Sequence, residues 1–243
     1  MFRVFAPFML GTIGSILWIL AFVKFTAQRS VFMILISLFI YILLFLTLVG
    51  IVPNKWLHAV PSRDQNAEII VIFSFGYEMD DGMMIPGNAN QYLWNWTVKN
   101  RPPQARLVFM QEGVWAATDD QAVKSLGIER ERIHRHDPHV YVDTLNAAFC
   151  AIQKIQELDK KKILLVAHDL QLQRVVWDFE RVGRVTCPDC IFVIPEIRDV
   201  PYPERSVHFQ TRNEFIYKIT ELLISRPRDF LKPVPLDCIA PIN

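Results

Sequence analysis

The side chains able to do chemistry sit on a few short stretches. Ser74-Phe75-Gly76-Tyr77-Glu78-Met79-Asp80-Asp81-Gly82 follows an apolar run, Gln111-Glu112-Gly113 follows a second, and His168-Asp169 follows a third with Arg174 close behind. An imidazole titrates near neutrality, so His168 could act as general acid or base, with Glu112 the second candidate for moving a proton. Arg174 offers a planar guanidinium suited to a phosphate or carboxylate, to which the free amides of a helix start would add. An ion pair with Asp178 at i,i+4 would use the same side chain structurally. Glu78, Asp80, Asp81, Glu112 and Asp169 are hard oxygen donors, and one or two could hold Mg²⁺ against a substrate phosphate. Asp81-Gly82 is equally ordinary turn chemistry, and no metal ligand set or other cofactor is assigned. His134, His136 and His139 crowd one segment, and His-x-His on a strand puts two imidazoles on one face for zinc. Arg132 and Arg135 oppose a cation there, which favours a polar connection.

Cys187-Pro188-Asp189-Cys190 has zinc-knuckle or redox spacing, but there is no second close pair and it does not open a helix. In an oxidising compartment it could close a small disulfide loop, or one half could pair with Cys238. Cys150, on the apolar face of a helix, reads as packed.

These stretches must be positioned by an α/β domain. Ile69 to Phe75, Ala105 to Met110, Ile163 to Ala167 and Ile191 to Ile194 read as strands, with a weaker one near Ile133 or from His139 to Val142. Helical segments alternate with them: Asn90 to Lys99, Thr118 to Leu126, Thr144 to Leu158, Leu170 to Val182, and Asn213 to Ser225. Asp143 or Thr144 can cap the third of these, and its Leu145, Phe149, Ile152 and Ile155 share a face. The pattern predicts a Rossmann-like open parallel sheet of about five strands with helices on both faces, over residues 67–226. In such sheets ligands bind beyond the carboxyl ends of the strands, where strand order reverses. The candidate ligand-binding residues are therefore Gly76, Tyr77, Gly113, Asp143, Thr144 and Arg174, although capping alone explains Asp143 and Thr144 equally well.

The first 53 residues differ. Val4 to Val23 and Val31 to Val52 are uncharged runs long enough to cross a hydrocarbon core as helices, predicting a transmembrane hairpin whose ends share one side of the bilayer. Residues 54–66 read as a linker and 227–243, rich in proline, as an extended tail. Met1 to Lys55 holds four bases and no acid, leaving 22 bases against 25 acids in the remainder. A balance so near zero makes no electrostatic case for nucleic acid. Basic residues are almost evenly divided between the hairpin loop and its ends, so charge does not orient the hairpin.

Gly76, the Glu112-Gly113 turn, Lys124-Ser125-Leu126-Gly127-Ile128, Asp143-Thr144 and Leu164 to Ala167 leading to Arg174 together resemble the SanA/ElyC/YdcF family of α/β domains. The two-helix hairpin is similar to its ElyC members. The resemblance covers roughly residues 68–183. It has departures: Ser74-Phe75 stands where the family has a glycine run, Gln111-Glu112 interrupts its paired glycines, Asn88 or Asn90 stands for its arginine, and Gln171 for its histidine. ElyC-like and SanA-like members imply work in the cell envelope, on peptidoglycan or the polyprenyl carrier. The layout implies a multi-pass protein of the cytoplasmic membrane with the α/β domain outside, facing a lipid-linked or otherwise phosphorylated small molecule. YdcF-like members imply binding of S-adenosylmethionine instead, and loss of the glycines and histidine implies a scaffold or regulator.

Overall fold

The computed structural model describes residues 35–36, 38–42, 58–81, 83–134, 143–221, 232–234 and 238. The chain divides into two compact units, Met1–Trp56 and Leu57–Asn243. In the first, residues 35–36 and 38–42 are helical, with Leu35, Phe39 and Ile40 exposed. The rest of the two apolar runs lies outside the described residues. Among the described residues no helix is long and apolar enough to cross a membrane.

The second unit is α/β. Its strands are β1 Ile69–Ile72, β2 Glu78–Asp80, β3 Met83–Ile85, β4 Leu107–Met110, β5 Glu129–Arg132, β6 Lys162–Val166 and β7 Ile191–Val193. Its helices are α1 Asn88–Asn100, α2 Glu112–Trp115, α3 Asp120–Ser125, α4 Thr144–Gln156, α5 Asp169–Thr186 and α6 Glu214–Thr220. Five strands form one parallel sheet in the order β5-β4-β1-β6-β7, while β2 and β3 pair as a separate antiparallel hairpin. The central strand β1 is Ile-Ile-Val-Ile, buried on both faces as a strand between helical layers must be. Period-two alternation then sorts the core. Ile70, Ile72, Val108, Met110, Leu164 and Val166 pack with Leu93 and Trp94 of α1. Ile69, Val71, Phe109, Ile163 and Leu165 pack against α4 and α5 on the opposite face.

The chain leaves β1 for β4 and β5 on one side, then returns to β6 and β7 on the other, so strand order reverses between β1 and β6. That junction is the switch point of the fold.

The fifth strand, expected near Ile133 or from His139 to Val142, lies at Glu129–Arg132, immediately before Ile133, and residues 139–142 lie outside the described set. The sequence Glu-Arg-Glu-Arg has no apolar run because β5 is an edge strand: Glu129 and Glu131 face solvent, while Arg130 and Arg132 lie over the Trp115 ring at 3.8 and 4.6 Å. Cys150 is a correction. It is joined to Cys238, and a second disulfide closes Cys187 to Cys190, so all four cysteines are paired. The described part of the tail is held against the domain: Val234 and Cys238 pack on the core beside α4 and α5, and Lys232 pairs with Asp143.

Candidate functional site

At the carboxyl end of β1 the chain turns sharply, and polar side chains from neighbouring loops hold the turn. Gln111 Oε1 accepts from the Ser74 amide at 2.9 Å, and Asn90 Oδ1 accepts from the Phe75 amide at 2.8 Å. Asn90 Nδ2 donates to the Gly76 carbonyl at 2.6 Å, and Ser74 Oγ accepts from the Val114 amide at 3.2 Å. Gly113 fits because a β-carbon there would lie 2.9 Å from Asn90 Nδ2 and 3.0 Å from Ser74 Oγ. The loops after β1 and β4 thus close on each other through Ser74, while Asn90 of α1 pins the turn at Phe75 and Gly76.

Gly76 has φ +66, the left-handed region that favours glycine. A β-carbon there would lie 2.5 Å from both Ser206 Oγ and Thr211 Oγ1. The close backbone approach expected for a ligand is therefore made by the chain's own later segment. Tyr77 stands edge-on to His208 at 4.9 Å, and its carbonyl accepts from the Val207 amide at 2.9 Å.

His168 lies at the carboxyl end of β6, directly at the switch point, and is fully buried. Its ring stacks on Phe75 at 3.7 Å and lies 4.7 Å from Tyr202 and 6.1 Å from Tyr217. Nδ1 is 2.8 Å from Asp169 Oδ1 and 3.3 Å from the Leu170 amide nitrogen. The Leu170 amide donates to Nδ1, and the Asp169 carboxylate and the Val200 carbonyl both approach the ring and favour its protonated form. His58 Nδ1 approaches the other Asp169 oxygen at 3.9 Å.

Burial pushes the His168 imidazole below its ordinary value, against the opposing pull of Asp169. Burial alone would raise the Asp169 carboxyl, but the hydrogen bond and charge of His168 outweigh it and hold the carboxyl low. Burial pushes the Tyr202 hydroxyl up, reinforced by the charges of Asp169 and Glu214. The site therefore holds a buried imidazole beside a carboxylate inside an aromatic shell, the pair of groups that proton transfer would need.

The other expected residues are placed apart from this centre or are engaged by protein groups. Arg174, on the second turn of α5, has Nε 3.4 Å from Glu221, whose side chain is fully buried. Glu112 meets Arg132 at 3.3 Å. Asp143 caps α4 through the Asn146 amide at 2.9 Å and pairs with Lys232, and Thr144 beside it is buried. Glu78, Asp80 and Asp81 lie on the β2–β3 hairpin. No group of three or more metal-ligating side chains gathers among the described residues. His136 and His139 lie outside them.

Sequence reasoning missed Asp169 as the group orienting His168, and missed Phe75, Tyr202, Ser206, Thr211 and Tyr217. Adjacency of Asp169 to His168 was the only local signal. Phe75 was read only as part of the turn after the first strand, and Tyr202, Ser206, Thr211 and Tyr217 arrive through tertiary packing of residues 198–221. Comparison with protein-family models, with curated proteins and with solved structures found no significant match to this chain.

Proposed function

We propose that this chain is a membrane-anchored protein of the cell envelope whose α/β domain lies outside the cytoplasmic membrane and holds a phosphorylated or nucleotide-like ligand at the β1–β6 switch point. The pairing of all four cysteines carries the reading, because disulfides persist in oxidising compartments and are rare in the cytosol. The two apolar runs supply the anchor, and the resemblance to the SanA/ElyC/YdcF family supports the envelope setting. A cytoplasm-facing binder of S-adenosylmethionine would keep its thiols reduced, so the cysteines speak against that alternative. The ligand part of the reading is supported by the place of His168, a buried imidazole beside Asp169 at the switch point. Within this reading Arg174 and the Gly76 turn are the groups that face an anion once the crevice opens, His168 moves a proton, and no nucleophile is assigned.

A specific observation favours a second reading. Ser206 and Thr211 fill the space above Gly76, and Glu221 neutralises Arg174, as expected of a non-enzymatic scaffold or regulator whose crevice is sealed. Thiol labelling of intact cells with a membrane-impermeant reagent tests the placement. Labelling of Cys187 and Cys190 only after reduction is expected, whereas labelling that requires a broken membrane but no reductant would defeat it.

A further inference from the structure

The two ends of the main sheet differ in what they expose. At the amino ends of the strands lies charge: Lys160, Lys161 and Lys162 pair with Glu68, Asp189 and Asp64, and Ile191, exposed there, shares a groove with Lys161, Lys162, Asp159 and Asp189. At the carboxyl ends large apolar side chains are exposed. Met79 and Met83 stand on the β2–β3 hairpin, Val207 and Phe209 on the segment after β7, and Phe215 on the first turn of α6, with Met83 69% and Phe209 61% exposed. They belong to one region, because the Val207 amide donates to the Tyr77 carbonyl at 2.9 Å, directly before the hairpin, and the Arg212 guanidinium lies 5.7 Å from the Phe209 ring. Apolar area gathered on one side of a domain marks a surface that meets something other than water.

The course of the chain says what that is. Where it enters the α/β domain, His58 Nδ1 lies 3.9 Å from Asp169 at the carboxyl end of β6. Ser62 then exchanges hydrogen bonds with Ile194 at the carboxyl end of β7, its amide donating at 2.8 Å and its hydroxyl accepting at 2.9 Å. Val60, between the two, is 81% exposed. The second apolar run ends at Val52, six residues before His58, and six residues reach at most about 20 Å. The chain thus meets the domain at its apolar edge, a short tether from the end of the run.

We propose that the carboxyl edge of the sheet, through the β2–β3 hairpin and residues 207–215, rests on the surface of a lipid bilayer. The inference rests on the membrane-anchored reading above and adds the face that the domain turns to the lipid. Residues 77–86 carry three acids and no base, and 198–220 carry four bases and three acids, so charge does not draw this edge to an anionic surface. The contact is made by apolar side chains entering the boundary between headgroups and acyl chains, and the surface it fits is zwitterionic. That orientation turns the β1–β6 crevice toward the headgroup layer.

The experiment uses the full chain in phosphatidylcholine vesicles, with a nitroxide on one introduced cysteine at a time, the four native cysteines being paired: Phe209→Cys, Met83→Cys, Val185→Cys and Leu38→Cys. Collision with oxygen, which concentrates in lipid, and with a nickel chelate, which stays in water, locates each label. The ratio of oxygen to nickel collisions is expected to be about fivefold higher at 209 and 83 than at 185, a position 70% exposed near the end of α5. Phe209→Asp combined with Phe215→Asp, both at exposed positions, should bring the label at 83 to the value at 185, and if it does not, these residues are not what the edge rests on. Labels at 209 and 83 that match 185 while the label at 38 reads lipid overturn the docked edge and leave the anchor standing. A label at 38 that reads water as well sinks both. Protection at 209 that vanishes as the protein is diluted in lipid shows a second copy on this face and overturns the proposal.

Discussion

A buried imidazole is costly to protonate, and for His168 that cost sets a pH dependence. The folded-state pKa of His168 is lowered, chiefly by burial, while the unfolded chain keeps the ordinary value of about 6.5. As pH falls through about 6.5 the unfolded state takes up a proton that the fold refuses, so stability declines from there toward the folded value. Asp169 and the Val200 carbonyl oppose the shift, and His58, packed near Asp169, adds to it. His208, also lowered by burial, contributes in the same direction. Asp169 acts at lower pH: its lowered value gives stability that is present above the unfolded carboxylate value and lost as pH falls through the folded one. Melting temperature should therefore drop between about pH 7.5 and 5.5, and His168→Phe should flatten much of that slope. An unchanged slope in the variant would show that His168 does not titrate as described. Arg174 gives a second prediction at this scale. Removing it leaves the fully buried Glu221 facing a lost cation, so Arg174→Ala should cost about 3 kcal/mol or more by denaturant unfolding. Arg174→Ala combined with Glu221→Gln should recover part of it, and if the double variant is no more stable than the single one, the pairing is not what Arg174 contributes. Loss of function in Arg174→Ala alone is consequently no evidence for a ligand contact.

At the scale of elements, two glycines facing the segment from Pro203 to Thr211 should respond differently to alanine. Gly76→Ala meets both a left-handed backbone and two hydroxyl oxygens at 2.5 Å, whereas Gly87→Ala meets one proline carbon without backbone strain. The first should lower stability by about 2 kcal/mol and the second by less than about 1, as read from denaturation midpoints. Equal losses would mean that side-chain contact, and not the left-handed turn, dominates at Gly76. The same region shows what the sequence disclosed. β1, β4 and β6 were legible because a strand buried on both faces must be a continuous apolar run, and Ile69 to Ile72 can be little else, whereas β7, an edge strand with Ile191 exposed, was legible from its β-rich Ile-Phe-Val alone. α4 announced its start through Asp143, which caps it as expected. β5 was hidden by its charges, since an edge strand is stabilised by keeping one face wet. The β2–β3 hairpin was hidden because Glu78 to Ile85 has neither an apolar run nor an alternating pattern, and Asp81-Gly82 disclosed only the turn. Of the site, His168 was legible from its place after a β-rich run. Tyr202, Ser206 and Thr211 were not, because nothing between Val193 and Asn213 has a helical or strand period, and their roles follow from where that segment lands.

For the whole molecule, the two disulfides link stability to compartment. Four cysteines allow three pairings, and spacing favoured only the close one, so Cys150 with Cys238 could not be read from the chain. That bond spans 88 residues, and in the chain-entropy account closing so long a loop contributes about 4.6 kcal/mol. Cys187 and Cys190 are separated by 3 and constrain the unfolded chain least. The long bond fastens a segment that also places Lys232 on Asp143, accepts from Arg181 at the Lys232 carbonyl, and packs Val234 on the core beside α4 and α5. Replacing Cys150 and Cys238 together by alanine should lower the unfolding free energy by several kcal/mol, about 4.6 in the loop-closure estimate, and reductant should cost the unaltered protein at least as much. Replacing Cys187 and Cys190 together should cost less than half of that, about 2 kcal/mol. A protein folded in a reducing cytosol would have to stand without the larger contribution, so the measurement bears on location as well as on stability. If reductant leaves the melting temperature of the full chain unchanged, the fold does not depend on its disulfides and the case for a domain outside the membrane loses its main support.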